Sequence, residues 1–236
     1  MLIKTVRWDS TFFKQRIGRI STGNFDLKIF EKEKKRFELI YIECSSNTPV
    51  NIEWPFSNTL FEDRKLIYSK QINSNAILAS EIKIYPDKIP CKSLIKLALQ
   101  SGEFSRFKND KNFKKNSYEH LYTKWIQNST NKKLAFSVLV FGDLKNPEGF
   151  ITLQKDGNAA HVGLFAVGHH TRSRGIGKKL MAAAEYYAQK HNFDTLNVTT
   201  QADNKLACKL YEKCGFTIQS SINTYHYWNK KNAHPF

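Results

Sequence analysis

No apolar run in this 236-residue chain approaches the length of a membrane span, so a bilayer-crossing helix is not expected. The first residues, Met1 to Trp8, lack the long apolar stretch of a secretory leader. Cysteine is scarce, and Cys44, Cys91, Cys208 and Cys214 form no close CxxC pair. That spacing excludes zinc-finger and disulfide-framework readings, and points to reduced thiols in a cytoplasmic protein. Acidic residues are also short, with 21 Asp and Glu against 37 Lys and Arg, a net charge of +16. Such a balance raises nucleic acid as a partner. Yet the lysines are scattered, the run Glu31 to Arg36 is mixed in sign, and no helix-turn-helix accompanies them. A non-enzymatic basic nucleic-acid-binding module therefore stands only as an alternative. A small polyanionic ligand would profit from the same field.

The chain has enough apolar material for a core, at 41% hydrophobic and 13% aromatic residues, so it is globular rather than disordered. A break falls near Asp87-Lys88-Ile89-Pro90. Upstream, strands are expected at 2–6, 17–21, 39–43, 64–72 and 82–85, with a charged helix over 27–36. Downstream, 93–101 reads as a helix with Leu94, Leu97 and Ala98 on one face, and 118–127 as another with Leu121, Tyr122 and Trp125 on one side. Strands follow at 134–141 and 148–154, joined by the turn cluster Asp143 to Pro147. A further strand covers 161–167, and a last one 223–228.

The strongest signal lies between the strand His161 to Val167 and an alanine-rich helix over 178–188. It reads Arg172-Ser173-Arg174-Gly175-Ile176-Gly177. A glycine turn that opens a helix points free backbone N–H groups at one spot, where the helix dipole adds positive charge. Two arginines add forked donors. A Rossmann fingerprint fails for want of a third glycine, since Lys178, Lys179 and Leu180 follow Gly177. A Walker A loop fails as well: Arg172 stands where its first glycine should be, and Lys179 where Ser or Thr should be. Downstream comes a second strand at 195–200, then a helix opened by Asn204 and closed by Gly215-Phe216. Gly215 suits the left-handed residue after a helix. Tyr211 follows Asn204 by seven residues, two turns, so both can face one cleft.

Together, Arg-x-x-Gly-x-Gly and Asn…Leu-Tyr-Glu-Lys-Cys-Gly-Phe resemble the two cofactor motifs of the GCN5-related N-acetyltransferase (GNAT) superfamily. The resemblance implies an α/β (α+β) fold, a mixed sheet with helices on both faces over 89–236, preceded by a smaller α/β N-terminal domain over 1–88. It implies acetyl-CoA as cosubstrate and no metal. Arg172, Arg174, Gly175, Ile176, Gly177 and Lys178 would hold its pyrophosphate, and Asn204 its arm. Backbone N–H groups at Phe165, Ala166 and Val167 would polarise the thioester carbonyl. Tyr211, a phenol of ordinary pKa, would protonate the departing thiolate. The N-terminal domain is expected to be a reduced GNAT-like half, on a faint echo between Tyr41 to Asn47 and Leu196 to Asn204; chance similarity explains that echo equally well.

A narrower resemblance rests on Trp8-Asp9-Ser10-Thr11-Phe12-Phe13, Glu103-Phe104-Ser105-Arg106-Phe107, Tyr122-Thr123-Lys124-Trp125-Ile126 and Ser220 to Trp228. These segments are similar to those of dTDP-4-amino-4,6-dideoxygalactose (dTDP-fucosamine) N-acetyltransferases. It implies an amino sugar on a nucleotide as acceptor, for surface polysaccharide synthesis. Arg106 would meet nucleotide phosphates, and Phe107, Tyr122 and Trp125 would stack on base or sugar; Tyr122 and Trp125 equally suit a core-facing stripe. His161 and Glu103 are both candidates to deprotonate the amine, directly or through water. His169 and His170 read as loop polar groups, a poor metal site. A different acceptor, such as a peptide, a protein N-terminus or a polyamine, stays open, as does a homodimer.

Overall fold

The computed structural model describes residues 3–21, 26–45, 60–72 and 78–229. They divide into two compact units, neither contiguous in sequence. The first takes residues 1–65, 109–114 and 220–236, and the second 66–108 and 115–219. Within the segment 109–114, Asp110 and Phe113 are buried.

In the first unit the strands run in the order β1 (Lys4–Thr5), β2 (Ile17–Ser21), β3 (Leu39–Ser45) and β10 (Thr217–Trp228). β1 is antiparallel to β2, β2 parallel to β3, and β3 antiparallel to β10, with Leu39 opposite Trp228. Helix α1 (Arg7–Phe13) was not legible in the sequence; it buries Phe13 and ends at Lys14 in the left-handed region, φ 53°. The charged helix is two pieces, α2 (Leu27–Glu33), capped by Asp26 on the Ile29 N–H, and a 3-10 turn over Lys34–Arg36. Ile3, Ile20, Phe30, Phe37, Ile40 and Ile42 form the core.

Beside that core lies a buried polar group. Asp110 Oδ2 accepts from His226 Nδ1 at 2.6 Å and from Trp228 Nε1 at 2.8 Å. Its Oδ1 accepts from the backbone N–H of Asn112 at 3.0 Å and from Asn112 Nδ2 at 2.8 Å. The His226 ring lies 5.0 Å from Tyr41 and 5.7 Å from Phe113. Of the segment Tyr41 to Asn47 compared with Leu196 to Asn204, Ser46 and Asn47 lie outside the described residues.

In the second unit the order is β4 (Leu60–Gln71), β9 (Thr195–Gln201), β8 (Ala159–Val167), β7 (Pro147–Asp156), β6 (Ser137–Gly142) and β5 (Ile82–Ile84). β5 to β8 pair antiparallel, and β8 pairs parallel with β9. Strand side chains alternate between faces. Leu139, Phe141, Ile151, Leu153 and Val162 pack with α6 (Ile176–Lys190) through Leu180, Met181 and Ala184. The alternate residues Val138, Val140 and Phe150 are buried outside that cluster, on the face of α3 (Lys92–Ser101) and α5 (Ser117–Thr130). Helices thus cover both faces of a mixed sheet, as expected. A short helix, α4 (Arg106–Asn109), and α7 (Lys205–Lys213) complete the set. Helix α6 starts two residues before the sequence estimate, because Gly175 serves as its N-cap and Gly177 lies within its first turn.

Candidate active site

The site begins where a ladder stops. β8 and β9 pair at Ala160–Leu196, His161–Asn197 and Val162–Val198, although both strands run further. Beyond that point they part and open a cleft of about 990 Å³. Two residues of β8, Gly163 and Leu164, stand against the single Thr152 of β7, a bulge. The Leu164 N–H donates to Thr152 Oγ1 at 2.7 Å instead of joining the ladder. A Cβ on Gly163 would run into the Gln154 side-chain amide and come 2.9 Å from Thr152 Oγ1, so a side chain there would have to displace both.

Backbone direction follows from these bonds. Leu164 N–H points to β7, as does Gly168 N–H, which donates to the Glu148 carbonyl at 2.7 Å. Backbone N–H groups alternate along an extended strand. Those of Phe165 and Val167 therefore turn to the opening, while Ala166 N–H turns to β7. The Val167 carbonyl agrees, since it accepts from Gln100 Nε2 at 2.6 Å and from Arg172 Nε at 3.4 Å, both outside β7. Of the three residues expected to hold the thioester carbonyl, two present N–H groups to the cleft.

One end of the cleft is the glycine turn. Ser173 and Gly175 sit at φ 65° and 79°. Lys179 N–H is the first to bond within α6, to the Gly175 carbonyl. The N–H groups of Ile176, Gly177 and Lys178 therefore have no intrahelical acceptor. Gly177 also lets α7 approach, for a Cβ there would meet Leu210 Cδ2 at 3.0 Å. Arg172 and Lys178 are exposed cleft residues. Arg174 is also exposed, and its Nη1 meets Glu148 Oε2 at 2.6 Å. Such a cradle of amides and cations suits a pyrophosphate. Replacing Gly175 by Ala is expected to cost about 1–2 kcal/mol from left-handed strain alone, read as a lower urea midpoint, since nothing lies within 4 Å of the added Cβ.

Asn204 and Tyr211 both line the cleft, as their spacing predicts. Asn204 caps α7, its Oδ1 accepting from Ala207 N–H at 3.2 Å. Tyr211 is buried against Tyr68, Phe165 and Phe216, with ring centroids 5.6 Å, 6.3 Å and 6.2 Å away. Here the sequence estimate needs correction. Burial, with Cys208 and Cys214 adding to it, pushes the phenol well above its ordinary value of 10.0. Tyr211 is thus a weaker acid than an ordinary phenol. Its helix ends in a Schellman motif: Phe216 N–H bonds to the Tyr211 carbonyl, Gly215 N–H to that of Glu212, and Gly215 sits at φ 85°.

The other wall comes from the end of α3 and from α5. Glu103, Phe104, Tyr122 and Trp125 line it. Tyr122 covers Gly102 so closely that no Cβ fits there. Arg106 and Phe107, expected in the acceptor pocket, do not line the cleft. Arg106 is buried, with its guanidinium 4.8 Å over the Phe107 ring. His161 does line it; its Nδ1 is buried with no hydrogen-bond partner among the described residues, and burial holds the imidazole below its ordinary value. Sequence reasoning missed two contacts. Glu103 Oε1 bonds to His169 Nε2 at 3.0 Å across 66 residues, and Gln100 holds the end of β8. No local pattern marks either pair. Among the described residues, no cluster of three or more His, Cys, Asp or Glu side chains could hold a metal ion, and no helix is long and apolar enough to cross a membrane.

Comparison with known proteins accords with this geometry. The model of the acetyltransferase (GNAT) family matches residues 99–216, half of the chain. The chain belongs to that family. It is 25% identical over 150 residues to the spore coat polysaccharide biosynthesis protein SpsD of Bacillus subtilis, covering 63% of this chain and 51% of that protein. It is 30% identical over 112 residues to a dTDP-fucosamine acetyltransferase of Escherichia coli, covering 45% and 44%. The chain thus spans about half the length of the curated relatives it matches. A conserved Staphylococcus epidermidis protein of unknown function shares the fold, with TM-score 0.64, 16% identity and coverage of 91% and 85%. So does a GNAT-family protein of Novosphingobium aromaticivorans, with TM-score 0.53, 12% identity and coverage of 81% and 74%.

Proposed function

We propose that the chain moves the acetyl group of acetyl-CoA to the amine of a nucleotide-linked amino sugar, of the dTDP-4-amino-4,6-dideoxyhexose class, for surface polysaccharide synthesis. The observation that carries the reading is a cleft lined by two unlike sets of groups. A cationic amide cradle lies at Arg172 to Lys178, and Phe104, Tyr122 and Trp125 add aromatic rings to the lining. Aromatic rings suit the flat face of a base or the apolar face of a sugar. The names of the two relatives, one a dTDP-fucosamine acetyltransferase and one a polysaccharide biosynthesis protein, support the acceptor class.

In this reading the pantetheine arm lies between the parted strands. Phe165 and Val167 N–H groups are placed for amide or carbonyl oxygens. The neutral amine attacks the thioester carbonyl, with both reactants held in one cleft. Tyr211 then donates to the departing sulfur. Asn204, Arg172, Arg174, Gly175, Ile176, Gly177 and Lys178 hold the cosubstrate. His161 and Glu103 both stand at the acceptor side as candidate bases. The division into residues 1–88, a reduced GNAT-like half, and residues 89–236 belongs to the same proposal, as do a cytoplasmic location and a homodimer.

A second reading has one observation in its favour. Glu103 is the only carboxylate residue lining the cleft among the described residues, which suits a small cationic amine such as a polyamine. A thiol-release assay separates the two, run with acetyl-CoA against dTDP- and UDP-linked amino sugars, polyamines and peptides. Release with a dTDP-4-amino sugar, and an acetylated sugar by mass, is the expected result. Release only with polyamines or peptides would overturn the sugar.

A further inference from the structure

Acetylation of a protonated amine leaves one proton over. An R–NH3⁺ group and acetyl-CoA give R–NH–acetyl, CoA–SH and H⁺, so the site must pass one proton to water for each turnover. Nitrogen needs its lone pair before it attacks, so that proton leaves first. A route from the acceptor wall to solvent is therefore part of the chemistry.

We propose that Glu103 receives the ammonium group of the acceptor, and that the Glu103–His169 pair takes its proton and releases it to water. Glu103 is the one carboxylate residue on the cleft wall among the described residues, and it stands beside Phe104. A carboxylate in a cleft that aromatic rings also line suits a cation. His169 Nε2 lies 3.0 Å from Glu103 Oε1, within proton-transfer reach. The His169 side chain is 50% exposed and that of Glu103 32%, so the pair runs from the cleft to solvent. His161, the other candidate, has a buried Nδ1 with no described partner to pass a proton on. Other titratable groups near the pair are Tyr118 on α5, which feels the Glu103 charge, with His170 and Arg172 on the turn that carries His169.

In the step, the N–H bond of the ammonium breaks and its electron pair stays on nitrogen. The proton binds the Glu103–His169 pair and then leaves to water from the imidazole. The free amine forms the new C–N bond, the C–S bond breaks, and Tyr211 donates to sulfur. As the tetrahedral centre collapses, the amide nitrogen loses a second proton, which restores Tyr211. Glu103 is the catalytic residue; His169 acts through it and positions it.

The inference rests on N-acetyl transfer and not on the sugar. The test therefore takes whichever amine of the thiol-release panel turns over fastest, and compares it with hydroxylamine, a nucleophile already neutral at pH 7. For Glu103→Gln, kcat/KM is expected to fall about a hundredfold with the basic amine and much less with hydroxylamine. His169→Ala is expected to show the same selectivity in smaller measure, and added imidazole to restore its rate. An equal loss with both nucleophiles would mean a structural role and overturn the proposal. So would unchanged kcat/KM with the basic amine, or a failure of imidazole to rescue His169→Ala. Loss of the sugar reading alone leaves all these outcomes readable.

Discussion

Tyr211→Phe is expected to lower kcat by about a hundredfold or more and to leave the acetyl-CoA dissociation constant within about twofold. The ring stays, so its packing on Tyr68, Phe165 and Phe216 stays. Only the phenol hydroxyl, the proposed donor to sulfur, is removed. Calorimetric titration with acetyl-CoA and single-turnover thiol release separate the two quantities. Equal turnover in the variant would remove Tyr211 from the chemistry. Its raised pKa adds a second check. A donor held above its ordinary value of 10.0 loses its proton only above that pH, so any basic limb from Tyr211 should have its midpoint above pH 10. A basic limb near pH 9 that vanished in Tyr211→Phe would contradict the burial effect.

The second large effect lies away from the cleft. Asp110→Ala leaves His226 Nδ1, Trp228 Nε1 and the Asn112 N–H without their shared acceptor. Breaking a buried polar centre of this kind costs about 3–5 kcal/mol, a large share of the stability of an ordinary domain. Urea unfolding followed by Trp fluorescence would report it, and a loss under 1 kcal/mol would refute the assignment. Burial alone would raise the Asp110 pKa, but bonds from His226, the Asn112 backbone and Trp228 outweigh it and hold it below its ordinary value of 3.8. A carboxyl depressed in the folded state contributes stability above its unfolded pKa, about 3.9, and loses it as pH falls through the folded one. Wild type should therefore weaken most steeply below about pH 4, and Asp110→Ala should lack that component.

What the sequence disclosed was mostly local. The cofactor side was legible because a strand, a glycine turn and a helix start carry their own chemistry within a few residues. The bounds of β2 and the Gly215 stop were legible for the same reason. Helix α1 was not, since Trp8, Phe12 and Phe13 lie too close together to show helical periodicity over so short a segment. The wall formed by α3 and α5 was hidden because its pairs are distant in sequence: Glu103 meets His169, and Gln100 meets Val167, only after α3 docks beside the end of β8. Arg106 misled because a motif gives residue type and not direction. The acidity of Tyr211 was misjudged because spacing shows where a side chain points, and burial comes from β4, β8 and the chain beyond α7.

Gly215 shows how far the active site reaches. It carries no side chain and makes no contact with the cleft, yet its left-handed turn fastens the last turn of α7, and the carbonyl fastened there is that of Tyr211. In a saturation scan scored by activity, position 215 would therefore group with the catalytic residues, while a scan scored by abundance would rank it among ordinary helix ends.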